Sequence, residues 1–380
     1  MNTYLIVVKG APRPKASTGT TYNYRMGFEG MAGELVEDGV ILKDEAEASQ
    51  IYNKGFYGYP VSGGGLELDM LEASYLMESG RLMVVSGGKE VGASDLTRRA
   101  AGIQEDFEIR YIVYRDLRQR GYVVKAHSGD FDFRVFPRGG TPTTSQTKYW
   151  VMAISERAIF DIGSFLVQLE KADRTRKELL LAVVDEEGDL TYYQAARSQP
   201  KGTDGGPSGK RITCHLVEDR VLVFDEEDAK ELYESGFFGK MVGQTLQLSM
   251  IETAFLMEKE AIEVKALVGG RRLSISGFRR KAIETQSDFD LRLAAYTDMR
   301  ARGLVVKTGF KYGCHFRVYE RNPQKIHARF LVHAVPDGYK ASWPEVSRAV
   351  RLAHGVKKEI LFSRIADDGV DYLRLKRVRP

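Results

Sequence analysis

At 380 residues the chain is longer than one hydrophobic core usually serves, so two or more domains are expected, each large enough to fold by itself. Hydrophobic residues make up 43% and charged residues 28%, and no apolar run nears the ~18 residues of a membrane span, which excludes a membrane helix. A net charge of +4 admits nucleic acid as a partner without requiring it, and the two cysteines, Cys214 and Cys314, are too few for a disulfide framework or a cysteine metal cluster.

The chain opens Met1-Asn2-Thr3-Tyr4-Leu5-Ile6-Val7-Val8-Lys9, without a charged leader, a long apolar stretch or a small-residue cleavage site. Secretion is therefore not expected, and the reducing cytoplasm is the expected compartment. Residues 1–33 find no counterpart later in the sequence, and Gly10 to Thr21 reads as loop. Asp44 to Asn53 reads as a short helix, and Met70 to Glu78 as an amphipathic helix whose apolar stripe marks core packing. Asp106 to Arg120 reads as a longer helix stopped at Gly121 and followed by the β-branched pair Val123-Val124. Strands are expected at Leu179 to Val184 and Leu190 to Tyr193, joined by the acidic turn Asp185-Glu186-Glu187-Gly188-Asp189. Ser198 to Lys210, dense in Gly, Pro, Ser and Thr, builds no core and reads as a linker.

Beyond the linker the same series returns. Leu35 to Val40 recurs as Leu216 to Val221, at an offset of 216 − 35 = 181. Leu71 to Glu78 recurs as Ile251 to Glu258, at 252 − 72 = 180, and Arg120 to Lys125 as Arg302 to Lys307, at 303 − 121 = 182. Offsets that drift by one are what loop insertions produce, and blocks matched in order along both halves identify a tandem duplication. The second copy accordingly carries helices at Glu226 to Ser235, Met250 to Glu260 and Asp288 to Arg302, the last stopped at Gly303 and followed by Val305-Val306. Strand signals then follow at Phe316 to Tyr319, Phe330 to Val335 and Ile360 to Ile365, with a helix at Trp343 to Gly355 between the last two. The expected fold class is α+β with α/β lobes: a duplicated two-lobed unit whose C-terminal lobe is a small mixed sheet flanked by helices. The expected division is 1–197, a linker at 198–210, and 211–380, the second unit splitting into a helix-rich lobe about 211–286 and a second lobe about 287–380.

The second copy contains Gly303-Leu304-Val305-Val306-Lys307-Thr308-Gly309-Phe310-Lys311-Tyr312-Gly313-Cys314-His315-Phe316-Arg317-Val318-Tyr319, then His327-Ala328-Arg329-Phe330-Leu331-Val332-His333, then Val350-Arg351-Leu352-Ala353-His354-Gly355-Val356-Lys357-Lys358. This run resembles the catalytic domain of tRNA-splicing endonucleases, in the archaeal type where two copies of the nuclease unit are fused. The resemblance implies a triad that works without metal or cofactor: a Tyr closing an F-x-V-Y strand, a His opening the next strand, and a Lys after a helix. Those positions are Tyr319, His327 and Lys358, spaced 327 − 319 = 8 and 358 − 327 = 31. It further implies that Arg351 stacks on a flipped bulge base, with Arg374 or Arg377 completing the clamp. The substrate implied is precursor tRNA with a bulge-helix-bulge, and two cleavage points related by a two-fold axis imply a homodimer. Two positions depart from the family's habit: His315 stands where an acid is common, so it could alter the charge near the scissile phosphate, and Ala328 stands where a small polar residue is common.

The residue types suit the chemistry on their own account. RNA carries its nucleophile, the 2′-hydroxyl, so cleavage needs a base, an acid for the departing 5′-oxygen, and a cation for charge on phosphorus. In the first copy Phe136 falls opposite Tyr319 and Gln146 opposite His327, while Lys177 matches Lys358. Phenylalanine has no hydroxyl and glutamine does not titrate, so this half is expected to be structural. Four carboxylates in its turn Asp185, Glu186, Glu187 and Asp189 read by themselves as solvated surface; the resemblance makes them a candidate plug for a cationic pocket on a partner's catalytic unit. Two competing classes stand beside this one: a metal-dependent DNA nuclease or junction resolvase, which needs clustered Asp and Glu ligands, and a non-catalytic RNA-binding assembly protein. The neighbours Cys214-His215 and Cys314-His315 fall on strands, point to opposite faces and chelate poorly.

Overall fold

The computed structural model describes residues 31–207 and 209–380, so the loop expected at Gly10 to Thr21 lies outside the described residues. Each copy begins with a lobe built on a six-stranded sheet. In the first the order is Tyr59–Pro60, Leu66–Asp69, Gly39–Leu42, Ala32–Leu35, Met83–Ser86, Lys89–Glu90. In the second it is Lys240–Val242, Thr245–Leu248, Arg220–Val223, Ile212–Val217, Ile262–Ala266, Arg272–Leu273, the same path. The α+β class expected of the chain holds in these lobes, but their individual strands, two to six residues long, are too short to display a period of two in the sequence.

Helix starts follow from side-chain caps. Asp44 accepts from Glu47 N and Asp225 from Asp228 N, both at 2.9 Å, at the heads of Glu45–Gly55 and Glu226–Gly236. Met70–Glu78 and Met250–Glu258 open with capping boxes, Asp69 with Glu72 and Ser249 with Glu252. These two helices are enclosed on most sides rather than along one stripe, and even Glu72 and Glu252 are buried. Each acid meets a lysine from the first strand of the following lobe: Lys125 reaches Glu72 at 3.0 Å and Lys307 reaches Glu252 at 3.4 Å. The lysines also donate to Gly58 O and Gly239 O, so one buried charge pair pins the two lobes of each copy together. Removing one partner of such a pair strands the other charge, at a cost of about 3–5 kcal/mol.

The second lobes do not form separate sheets. They merge into one ten-stranded sheet running Val305–Thr308, Phe316–Tyr319, Phe330–Pro336, Glu359–Ala366, Gly369–Val378, Leu190–Arg197, Glu178–Val184, Tyr149–Ser155, Phe133–Val135, Val124–Ala126. The two copies join through the antiparallel pair Leu190–Arg197 with Gly369–Val378, where Ala195 lies opposite Leu375. Tyr192 and Tyr372 are equivalent residues, donating their hydroxyls to Asp116 of the helix Phe107–Gln119 and Asp298 of the helix Phe289–Ala301. Their offset, 372 − 192 = 180, equals 375 − 195 = 180, so Ala195 faces its own counterpart and the internal two-fold axis passes through that pair. Helices Phe107–Gln119 and Phe289–Ala301 cover one face beside their own first lobes. On the other face Ile162–Arg174 and Trp343–Gly355 share a single core, with Trp343 packed on Phe160, Phe165 and Tyr193 at 5.6–6.0 Å between ring centroids. Residues from both halves of the chain thus share this core.

That linker is itself laid against the second copy. Gly202 N donates to Arg302 O, Thr203 N to Glu320 O and Asp204 N to Gly303 O, all within 3.0 Å, and Asp204 pairs with the buried Arg300 at 2.8 Å. Glycine is required at 202 because a methyl group there would overlap the Gly303 carbonyl.

Candidate active site

The site forms at one end of three neighbouring strands. Phe330 pairs with Val318 on one side and with Glu359 on the other. Arg329 N donates to Val318 O and Glu359 N donates to Arg329 O, both at 3.0 Å. Continuing this register by one residue sets Tyr319, Arg329 and Lys358 level across the sheet. Strands lie ~4.8 Å apart, so the backbones of Tyr319 and Lys358 are about 10 Å apart, a gap that a phenol and a lysine chain can close on one phosphate. His327 enters two residues before Arg329, from a turn in which Asn322 O accepts from Lys325 N and Ile326 N.

The three side chains differ in surroundings. Tyr319 is buried, packed on Val305 and Ala328 with Phe237 and Ile326 beside them, and the Arg317 guanidinium lies 5.9 Å from its ring centroid. That packing gives Ala328 a reason to be small and apolar. His327 is exposed. Lys358 is half-buried; Lys357, at φ 54°, turns the chain out of the helix Trp343–Gly355, and Lys358 N donates to Ala353 O at 2.9 Å. The Lys358 ammonium donates to Val356 O at a long 3.4 Å and lies 5.7 Å from the centre of the Tyr312 ring.

The first copy acts as a ruler for this arrangement. There Lys148 N donates to Val135 O and Glu178 N to Lys148 O, which sets Phe136, Lys148 and Lys177 level in the same way. Lys177 Nζ donates to Gln146 Oε1 at 2.9 Å, so side chains at the positions of Lys358 and His327 reach one another in this fold. Phe136 is buried like Tyr319.

The cations named for the clamp separate. Arg351 is exposed on the last turns of Trp343–Gly355, the helix that delivers Lys358. Arg377 pairs with Tyr193, and the register of Ile360 with Leu375 carries it level with Lys358, exposed and on the side of that helix. Arg374 points to the other face and is bound by Glu359 at 3.0 Å, away from the three. His315 is also displaced. It precedes the strand that Tyr319 ends, so a whole strand separates it from the site, and it accepts from Ala334 N at 2.9 Å. Burial, with Arg292 and His333 close by, pushes its pKa down to about 4 against the pull of Asp288. His315 thus stands a strand's length from Tyr319, and burial favours its neutral form.

The acidic turn is exposed at the far end of its two strands. Asp185 Oδ1 accepts from Glu187 N and Asp189 N and so locks the turn, while Glu186 pairs with Arg157 at 2.8 Å. Among the described residues no three His, Cys, Asp or Glu side chains gather closely enough to hold a metal ion. Tyr312, Arg317 and Arg329 were not singled out from the sequence; each reaches the site through strand register or a loop, and no local pattern signals that.

Comparisons with known proteins match this chain twice over. The family described as tRNA intron endonuclease, catalytic C-terminal domain, matches residues 107–192 and 289–372, and that described as tRNA intron endonuclease, N-terminal domain, matches 31–97 and 212–279. A tRNA-splicing endonuclease of Methanococcoides burtonii is 41% identical over 355 residues, covering 92% of this chain and 100% of the relative. One from Methanosarcina mazei is 39% identical over 351 residues, 91% of this chain and 98% of the relative, and one from Haloferax volcanii is 33% identical over 370 residues, 92% and 100%.

Proposed function

The chain belongs to the tRNA intron endonuclease family and is an RNA endonuclease of tRNA splicing, and from that premise we propose that it excises introns at bulge-helix-bulge motifs by attack of the RNA's own 2′-hydroxyl. In this reading Tyr319 takes the 2′-hydroxyl proton and the 2′-oxygen bonds to phosphorus. The bond from phosphorus to the 5′-oxygen breaks, and His327 protonates that oxygen. Lys358 balances the charge that builds on the phosphoryl oxygens. The products are a 2′,3′-cyclic phosphate and a 5′-hydroxyl, and no water, metal or cofactor enters. Arg351 and Arg377 hold a bulge base on the same side of the sheet.

The observation that carries this reading is the level placement of Tyr319 and Lys358 about Arg329, with Lys177 bonded to Gln146 in the other copy. The first copy, with Phe136 and Gln146, serves as scaffold. We further infer a homodimer, in which the turn Asp185, Glu186, Glu187 and Asp189 of one chain seats on the catalytic unit of another. The division at 198–210 is likewise part of this proposal. Purified protein, EDTA and an intron-containing tRNA transcript, followed by mass spectrometry of the fragment ends, test the chemistry. Cleavage to cyclic phosphate ends despite chelation is expected. Activity that returns only with added magnesium would point instead to the metal-dependent nuclease.

A further inference from the structure

Nothing in the reaction as described explains how Lys358 is aimed. Its ammonium has a single long hydrogen bond, to a carbonyl two residues behind it, and among the described residues no carboxylate lies within 4 Å of it. A four-carbon chain so weakly held samples many rotamers, which dilutes the population that faces a phosphate. The group it does approach is the Tyr312 ring, 5.7 Å away, inside the range over which a ring face attracts a cation.

Tyr312 is itself firmly placed. It ends the short helical turn Phe310–Tyr312 between the strands Val305–Thr308 and Phe316–Tyr319. Tyr312 N donates to Gly309 O at 2.8 Å, Gly313 N to Phe310 O at 3.1 Å, and Gly309 N to His315 O at 3.0 Å. Gly313 takes φ +60°, and Gly309 is packed so tightly on the buried Cys314 that a methyl group there would overlap its sulfur. The ring is half-buried against the core that also holds Trp343–Gly355, the helix leading to Lys358.

The first copy supplies the contrast. Its corresponding loop, residues 127–132, is one residue shorter and contains no tyrosine. There the lysine is held instead by Gln146, at the position where the live copy has His327. A catalytic histidine and a lysine cannot hold each other as an amide and a lysine do, because an imidazole that donates a proton is no acceptor for an ammonium. The live copy therefore needs another rest for its lysine.

We propose that Tyr312 is a positioning residue that aims the Lys358 ammonium at the scissile phosphate through its ring face. This rests on Lys358 acting in the reaction, so the test separates the two. Single-turnover cleavage is measured with enzyme in excess for Lys358→Met, Tyr312→Leu, Tyr312→Phe, and Lys358→Met combined with Tyr312→Leu. Tyr312→Leu is expected to lower the cleavage rate about 3–10-fold with unchanged RNA affinity, and Tyr312→Phe to restore most of it, since the ring and not the hydroxyl does the work. In the Lys358→Met background, Tyr312→Leu is expected to have no further effect. An equal fall in that background, or a full rate for Tyr312→Leu alone, overturns the proposal. A full rate for Lys358→Met removes the lysine from the mechanism and the proposal with it.

Discussion

At the scale of single residues, the two copies differ at the proposed catalytic positions by a hydroxyl and an imidazole. Tyr319 and Phe136 occupy equivalent buried places, and both rings pack, so the phenol oxygen can be removed without disturbing the fold. Tyr319→Phe is expected to lower the cleavage rate about 10²–10⁴-fold while a gel-shift assay with uncleaved precursor shows unchanged binding. Cleavage at the parental rate would reject Tyr319 as the base. The residue types at these positions are legible in the sequence because the two copies can be laid side by side. The places of His315 and Tyr312 relative to Tyr319 are not legible in the sequence. Sequence neighbours four and seven residues from Tyr319 lie at the far end of a strand or on a loop folded back, and only the folded chain distinguishes the two cases.

At the scale of elements, the two central helices carry the same capping box with different chemistry. Ser249 caps Met250–Glu258 as a neutral hydroxyl, whereas Asp69 caps Met70–Glu78 as a second acid beside Glu72. Asp69 Oδ2 is enclosed with no partner among the described residues, and burial together with Glu72 pushes the Asp69 pKa up to about 7. A folded-state pKa above the unfolded value means that the folded form binds the proton more tightly, so stability falls as pH rises from about 4 to about 7. Asp69→Ser, which copies the second unit, is expected to be more stable than the parent at pH 8 and nearly equal to it at pH 4, the gap opening as pH rises from about 4 to about 7. Urea denaturation at both pH values checks this, and a gap independent of pH would show that Asp69 is not protonated in the fold. Met70–Glu78 and Trp343–Gly355 were read from the sequence at their true limits, since caps, a proline at the helix start and apolar spacing are local signals. The short strands of the first lobes were not, because they are held by their partners and by burial rather than by their own pattern.

At the scale of the whole molecule, the internal two-fold axis at Ala195 and Leu375 makes one chain resemble a dimer of its two units. The acidic turn lies exposed on the first half, with Glu187 and Asp189 free of ion pairs among the described residues. If it seats on a second chain, reversing those charges replaces attraction with repulsion at the contact. Glu187→Lys with Asp189→Lys is expected to shift the light-scattering mass from dimer to monomer and to lower cleavage in parallel. A dimeric mass in the double variant would exclude the turn as the contact.

The amino-acid sequence alone determined that the chain is a duplication, that one copy keeps a tyrosine, a histidine and a lysine in order, and where the capped helices begin, because each of these is a matter of residue identity or of spacing within a few turns. Only the tertiary structure decided that the two second lobes share one sheet and one core, that the linker is docked, and that Arg377 rather than Arg374 lies level with Lys358. The reason is physical. Strand register and pairing are set by contacts between segments more than a hundred residues apart, whose hydrophobic pattern says which face is buried but not which strand lies alongside.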